Sequence, residues 1–120
     1  MTNTITEVAR WYRERGLIEG PDPVPFSRQV EKIDEEMNEL DDAIESGDRA
    51  HIAKELADVL FVVGGALVIH AGGEDKALEC WRQLMLSNNS KPMERDATGK
   101  IVKGPDFVEA DMAAVLGGEG

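Results

Sequence analysis

The chain has 120 residues and a formal net charge of −11, from 24 acidic and 13 basic side chains. That length suits one domain over 1–120 with a real core, since folding at this size buries roughly two-thirds of the unfolded surface. The acidity disfavours nucleic-acid or anionic-membrane binding, because phosphate backbones need Lys and Arg, but it leaves room for a small phosphate compound delivered with a cation. The single Cys80 allows no intrachain disulfide, and Met1–Glu7 lacks the basic flank and apolar stretch of a signal peptide. The longest uncharged run, 59–73, is shorter than the roughly 20 residues that span a bilayer. A cytoplasmic setting is expected.

Thr4-x-x-Glu7 has capping-box spacing, and Ile5, Val8 and Tyr12 recur at helical intervals. A first helix is expected over 4–15, ending near Gly16. Gly20-Pro-Asp-Pro-Val-Pro25 is a loop, because its prolines remove backbone donors. Ser27 is expected to cap a second helix over 27–46, in which Val30, Ile33, Met37, Leu40 and Ile44 make one apolar stripe. Eight of the fifteen residues from Glu31 to Glu45 are acidic. Ser46-Gly47-Asp48 ends that helix and caps a third over 49–71. After Asp58 the third helix is apolar nearly all round, so burial on most sides is expected. Gly72-Gly73 stops it. A fourth helix over 74–87 opens with Glu74-Asp75 at the positive end of its dipole and should carry Leu78, Trp81, Leu84 and Met85 inward. Residues 88–92 read as irregular and 96–104 as a tight turn or small hairpin. A short helix follows over 110–116, then a mobile tail over 117–120.

Five acids stand out: Glu35, Glu36 and Glu39 on the second helix, Glu55 and Asp58 on the third. On a wheel of about 100° per residue, Glu36 flanks the apolar stripe, Glu39 comes next and Glu35 faces outermost. Glu36 and Glu39 are therefore the better ligand candidates. Glu55 and Asp58 share a face. Antiparallel packing across Ser46-Gly47 would bring the two pairs together. Four carboxylates in one pocket repel one another and raise each other's pKa unless cations neutralise them. Hard divalent ions prefer oxygen ligands and retain waters that can become nucleophiles. For the second helix alone a solvated face is the ordinary reading. For Glu55 and Asp58 the bland alternative is a salt bridge to Lys32 or Lys54.

Together, Glu-Glu-x-x-Glu (35–39), fifteen residues, then Glu-x-x-Asp (55–58) resembles the signature of the MazG-like all-α nucleoside triphosphate pyrophosphohydrolases. That superfamily includes MazG, dimeric dUTPases and phosphoribosyl-ATP pyrophosphohydrolase. The resemblance covers about residues 26–91. Ser87-Asn-Asn-Ser-Lys91 followed by Gly99-Lys-Ile-Val-Lys-Gly104 also looks like an extension found in some small bacterial and phage members. The resemblance implies an all-α, four-helix-type bundle completed by homo-oligomerisation, as a homodimer or dimer of dimers, with a short irregular C-terminal extension. It implies Mg²⁺, with Mn²⁺ as substitute, held by Glu36, Glu39, Glu55 and Asp58. Glu35 would be a further ligand or would orient the attacking water, sharing the catalytic role with Glu36. The implied reaction cleaves a (d)NTP between the α and β phosphates to the monophosphate and pyrophosphate, clearing nucleotides from the pool.

Basic groups should complete such a site. Lys91, with Asn88 or Ser90, is the expected triphosphate contact. Lys32 is a second candidate, against a salt bridge to Glu36 or Glu35. Lys100 and Lys103 read as solvated, Trp11 and Phe107 as core packing before base stacking, and His51 and His70 lack metal-ligand spacing. The rival reading is a non-catalytic acidic interaction or regulatory module, which leaves Glu55-x-x-Asp58 before an apolar segment unexplained. A di-iron bundle would need Glu-x-x-His, which is absent.

Overall fold

The computed structural model describes residues 3–117. The fold is all-α, with α1 Thr4–Glu14, α2 Phe26–Ser46, α3 Arg49–Ala71, α4 Glu74–Asn89 and α5 Met112–Leu116. The packing divides the chain into two compact units, residues 1–77 and 78–120.

In the first unit, α1 is capped by Asn3 and not by Thr4. The Asn3 side chain accepts the Ile5 N–H at 2.7 Å, and Asn is among the strongest N-caps. The Thr4–Glu7 box therefore does not form. Helix α2 starts at Phe26 and Ser27 lies inside it. The Pro25 carbonyl accepts the Arg28 and Gln29 N–H groups, closing the first turn one residue earlier than expected. The reversal between α2 and α3 follows the expected chemistry. Gly47 takes the left-handed conformation at φ 71°, and the Asp48 side chain accepts from Ala50 and His51 N–H at 3.0 and 3.3 Å.

Both α1 and α2 pack on α3. Ile5, Val8, Ala9 and Tyr12 from α1, Leu40 and Ala43 from α2, and Val62, Ala66 and Val68 from α3 make the core. One buried polar group joins all three helices. Gln29 Nε2 donates to Tyr12 Oη at 2.7 Å and to the Val62 carbonyl at 3.0 Å. Gly65 makes room for that junction. A Cβ there would sit 2.5 Å from Tyr12 Oη and 2.9 Å from Gln29 Nε2. The helix accepts a glycine that costs roughly 1 kcal/mol in propensity because no larger residue fits.

Burial departs from expectation on two helices of this unit. Leu56, Leu60 and Val63 of α3 are 52%, 60% and 43% exposed, so α3 is not buried on most sides. On α2 only Leu40 of the apolar stripe is buried, while Val30, Met37 and Ile44 are exposed. In this unit α1 and α2 pack on α3, and among its described residues nothing covers the opposite stripe.

In the second unit, α4 runs to Asn89, two residues beyond expectation. Trp81, Leu84 and Met85 are exposed and Leu78 is half-buried, so the inward placement expected of them is not seen. The expected turn is present but the hairpin is reduced to one antiparallel bridge, Arg95 with Ile101. Asp96 holds the turn by accepting from Thr98 N–H at 2.8 Å and Lys100 N–H at 3.1 Å. These donors, with the Thr98 hydroxyl, hold its carboxyl below the usual range. The last helix is shorter than 110–116, starting at Met112 behind the Asp111 cap. Most of the tail expected to be mobile, 118–120, lies outside the described residues. No described helix is long and apolar enough to cross a membrane.

Candidate metal centre

Glu36 and Glu39 lie one turn apart on α2, and Glu55 joins them from α3. One carboxylate oxygen from each of the three lies within 4.8 Å of the others. Glu55 is buried, Glu36 half-buried and Glu39 exposed, so the cluster is closed around Glu55 and open beside Glu39. Glu36 Oε2 and Glu55 Oε2 are sealed from solvent with no hydrogen-bond partner among the described residues. Sealed, unpartnered carboxylate oxygens are costly to bury. Burial first, and then the charges of Glu39, Asp58 and Glu55, push the Glu36 carboxyl above its usual range. A hard divalent cation would satisfy both sealed oxygens and remove the repulsion, so this all-oxygen donor set fits such an ion.

Asp58 stands outside the group of three. Its Oδ2 accepts from Lys54 Nζ at 2.5 Å, and the same ammonium lies 3.8 Å from Glu55 Oε1. Asp58 in turn holds the Lys54 ammonium above its usual pKa. The bland alternative for Asp58 is thus present beside the cluster, as an i,i+4 pair on an exposed lysine. Such pairs contribute little, about 0.3–0.5 kcal/mol, and would yield readily to a competing cation. His51, assigned no role from sequence, places Nε2 3.4 Å from Glu55 Oε1.

Glu35 is exposed and takes no part in the trio. It lines a neighbouring cavity of about 340 Å³ with Lys32, Arg28, Gln29, Trp11, Tyr12 and Phe61. Lys32 forms no ion pair among the described residues, so neither of its expected pairs with Glu36 or Glu35 is made. Trp11 is not core. It is 39% exposed, meets Phe61 edge-on at 5.0 Å and lies under the Arg15 guanidinium at 4.2 Å. In the second unit Asn88 is exposed and Lys91 half-buried. The Ser90 hydroxyl is committed internally. It donates to the Ser87 carbonyl at 2.6 Å and accepts the Val108 N–H at 2.9 Å. Lys91 and Lys103 both approach the Phe107 ring, at 5.9 and 4.8 Å from its centroid.

The sequence profile of the phosphoribosyl-ATP pyrophosphohydrolase family matches residues 10–71, just over half of the chain. The chain belongs to this family. As a member of the phosphoribosyl-ATP pyrophosphohydrolase family it is a pyrophosphohydrolase of the MazG-like kind, and the family is metal-dependent. The match holds all five acids and runs from within α1 to the end of α3. No curated protein matches the chain.

One feature of this family member escaped the sequence, and another was left open between two lysines. Gln29 has no signal in the periodicity, because a buried Gln on a polar-rich helix looks like any exposed one. Lys54 was expected, with Lys32, as the alternative partner of Glu55 and Asp58, and spacing alone could not say which of the two lysines would reach them.

Proposed function

We propose that this protein is a Mg²⁺-dependent nucleoside triphosphate pyrophosphohydrolase that releases a (d)NMP and pyrophosphate. The observation that carries the reading is the Glu36–Glu39–Glu55 cluster with two sealed, unpartnered oxygens. When bound, Mg²⁺ (or Mn²⁺) would polarise phosphoryl oxygens and lower the pKa of a bound water. Glu36, Glu39 and Glu55 would hold the ion. Asp58, now paired with Lys54, would be the fourth carboxylate available to it. Glu35, exposed on the wall of the adjoining cavity, orients the attacking water and accepts its proton. Lys32, free of ion pairs, meets phosphate.

On the second unit, taken by itself, Lys91 and Asn88 are the groups able to donate to a phosphate, and Ser90, its proton already engaged, shapes their loop. Lys91→Ala should raise KM severalfold with kcat little changed, because the contact is made in the ground state as well as the transition state. Unchanged steady-state kinetics would remove Lys91 from the site.

The exposed stripe Leu56–Leu60–Val63 supports a homodimer or dimer of dimers, since apolar side chains at this spacing call for a covering face. Leu60→Asp is expected to shift the protein toward monomer in sedimentation velocity; an unaltered distribution would place the interface elsewhere.

Phosphoribosyl-ATP is the second reading, favoured by the family match. The basic stretch from Lys91 to Lys103 lies beyond the matched residues and favours a triphosphate. The test is a panel of NTPs, dNTPs and phosphoribosyl-ATP with Mg²⁺, products resolved by ion exchange, and an Asp58→Asn control. Monophosphate and pyrophosphate absent from the control support the reading. Absence of turnover with every substrate would favour the non-catalytic module.

A further inference from the structure

Gln29 is 3% exposed and its amide orientation is forced. The Val62 carbonyl can only accept, so Nε2 must face it, and Nε2 also donates to Tyr12 Oη. That leaves Oε1, which accepts no hydrogen bond among the described residues. It is not one of the two sealed, unpartnered oxygens either, so it keeps a small accessible surface. The cavity beside the acidic cluster is the space that Gln29 lines. Tyr12, 4% exposed, lines the same cavity. Its oxygen accepts from Gln29, so its own proton is unspent, and burial pushes its pKa above the usual value of 10.0 and keeps that proton in place. The recess is therefore lined by one residue with an uncommitted acceptor and one with an uncommitted donor. Trp11 and Phe61 supply aromatic wall, and Glu35 stands on the rim, one residue from the carboxylate cluster.

A donor next to an acceptor, on a flat body that packs on aromatic rings, is the edge of a nucleobase. We infer that this recess holds the base of the substrate and that the Gln29–Tyr12 pair reads its hydrogen-bonding edge. The inference rests on the proposed nucleotide reaction and assigns its selectivity to residues outside the acidic motif. Two buried polar groups with unspent capacity make discrimination strong, because a base with the wrong edge leaves both unpaired.

The test uses Trp11 as reporter. The chain has two tryptophans, and Trp81→Phe leaves Trp11 as the sole one. This protein is titrated, without metal, with each of the common nucleoside monophosphates while fluorescence is followed. Saturable quenching by a subset of bases is expected. Adding Tyr12→Phe, which keeps the ring and the Gln29–Val62 bond, should weaken binding of the preferred base roughly tenfold or more and flatten the ranking. Quenching by none of the bases, or an affinity and ranking untouched by Tyr12→Phe, would overturn the inference. Monophosphate binding without triphosphate hydrolysis would sink the proposed reaction and leave the recess standing. Hydrolysis with a base ranking indifferent to Tyr12→Phe would do the reverse.

Discussion

Glu36→Gln is expected to abolish turnover and, at the same time, to make the metal-free protein more stable. Glu36 is pushed toward its neutral form by burial and by Glu39, Asp58 and Glu55, so an amide of the same shape relieves a penalty that the charged side chain carries. That relief should appear as a higher melting temperature of the metal-free variant. Added Mg²⁺ or Mn²⁺ should raise the wild-type midpoint, because ligand binding to the native state is linked to stability. The variant should gain much less. The pH dependence has a definite sign. The native pKa of Glu36 lies above its unfolded value, so the native state binds more protons in that window. Metal-free stability should therefore fall as pH rises from the ordinary carboxylate range through the raised pKa, and Glu36→Gln should flatten that slope. Thermal melts from about pH 4, near the ordinary carboxylate value, up to about pH 8, with and without metal, check both statements. A variant no more stable without metal, and equally stabilised by it, would remove Glu36 from the ligand set.

Gly65→Ala is the largest stability effect expected from the removal of no contact at all. On an exposed helix the change would be favourable by roughly 1 kcal/mol. Here the new methyl would lie 2.5 Å from the Tyr12 ring and 2.9 Å from Gln29 Nε2. Something must shift, and both neighbours are buried and joined to a third helix. Overpacking of this kind typically costs about 1–3 kcal/mol, and parting the Gln29–Tyr12 bond would add to it. Urea denaturation should show a net loss of about 1–3 kcal/mol. The adjacent Gly64→Ala is the control. Its Cβ would meet Val8 at 3.4 Å, ordinary contact, and a much smaller change is expected. Equal effects at the two positions would mean that the close approach of α1 to α3 does not depend on Gly65.

The helix plan was legible because its signals are local. The Gly47–Asp48 reversal and the Gly72 stop depend on residues that cap or break helices by their own backbone chemistry. The paired acids were legible because residue type and spacing determine a helical face. What failed depends on neighbours that a linear pattern does not contain. Asn3 took the cap from Thr4, since both can accept the same N–H groups and geometry decides between them. Leu60 and Val63 fall in the stretch after Asp58 that is apolar nearly all round, and such a stretch shows that a face is apolar, not what covers it. Trp11 was read as core for the same reason. In the candidate site, the placing of Glu36 and Glu39 ahead of Glu35 follows from the wheel, whereas the choice of Glu55 over Asp58 as their neighbour does not. The displacement of Asp58 toward Lys54 does not follow from it either, because it turns on the reach of one flexible side chain.

The most direct measurement is Mn²⁺ binding followed by electron paramagnetic resonance, on the wild type and on Glu55→Gln, with no substrate present. Glu55 is the buried acid of the trio and carries one of the two sealed oxygens. Saturable loss of the free Mn²⁺ signal in the wild type, weakened by roughly tenfold or more in Glu55→Gln, is the predicted result. Equal Mn²⁺ uptake by both proteins, or none by either, would contradict a metal centre built from these carboxylates.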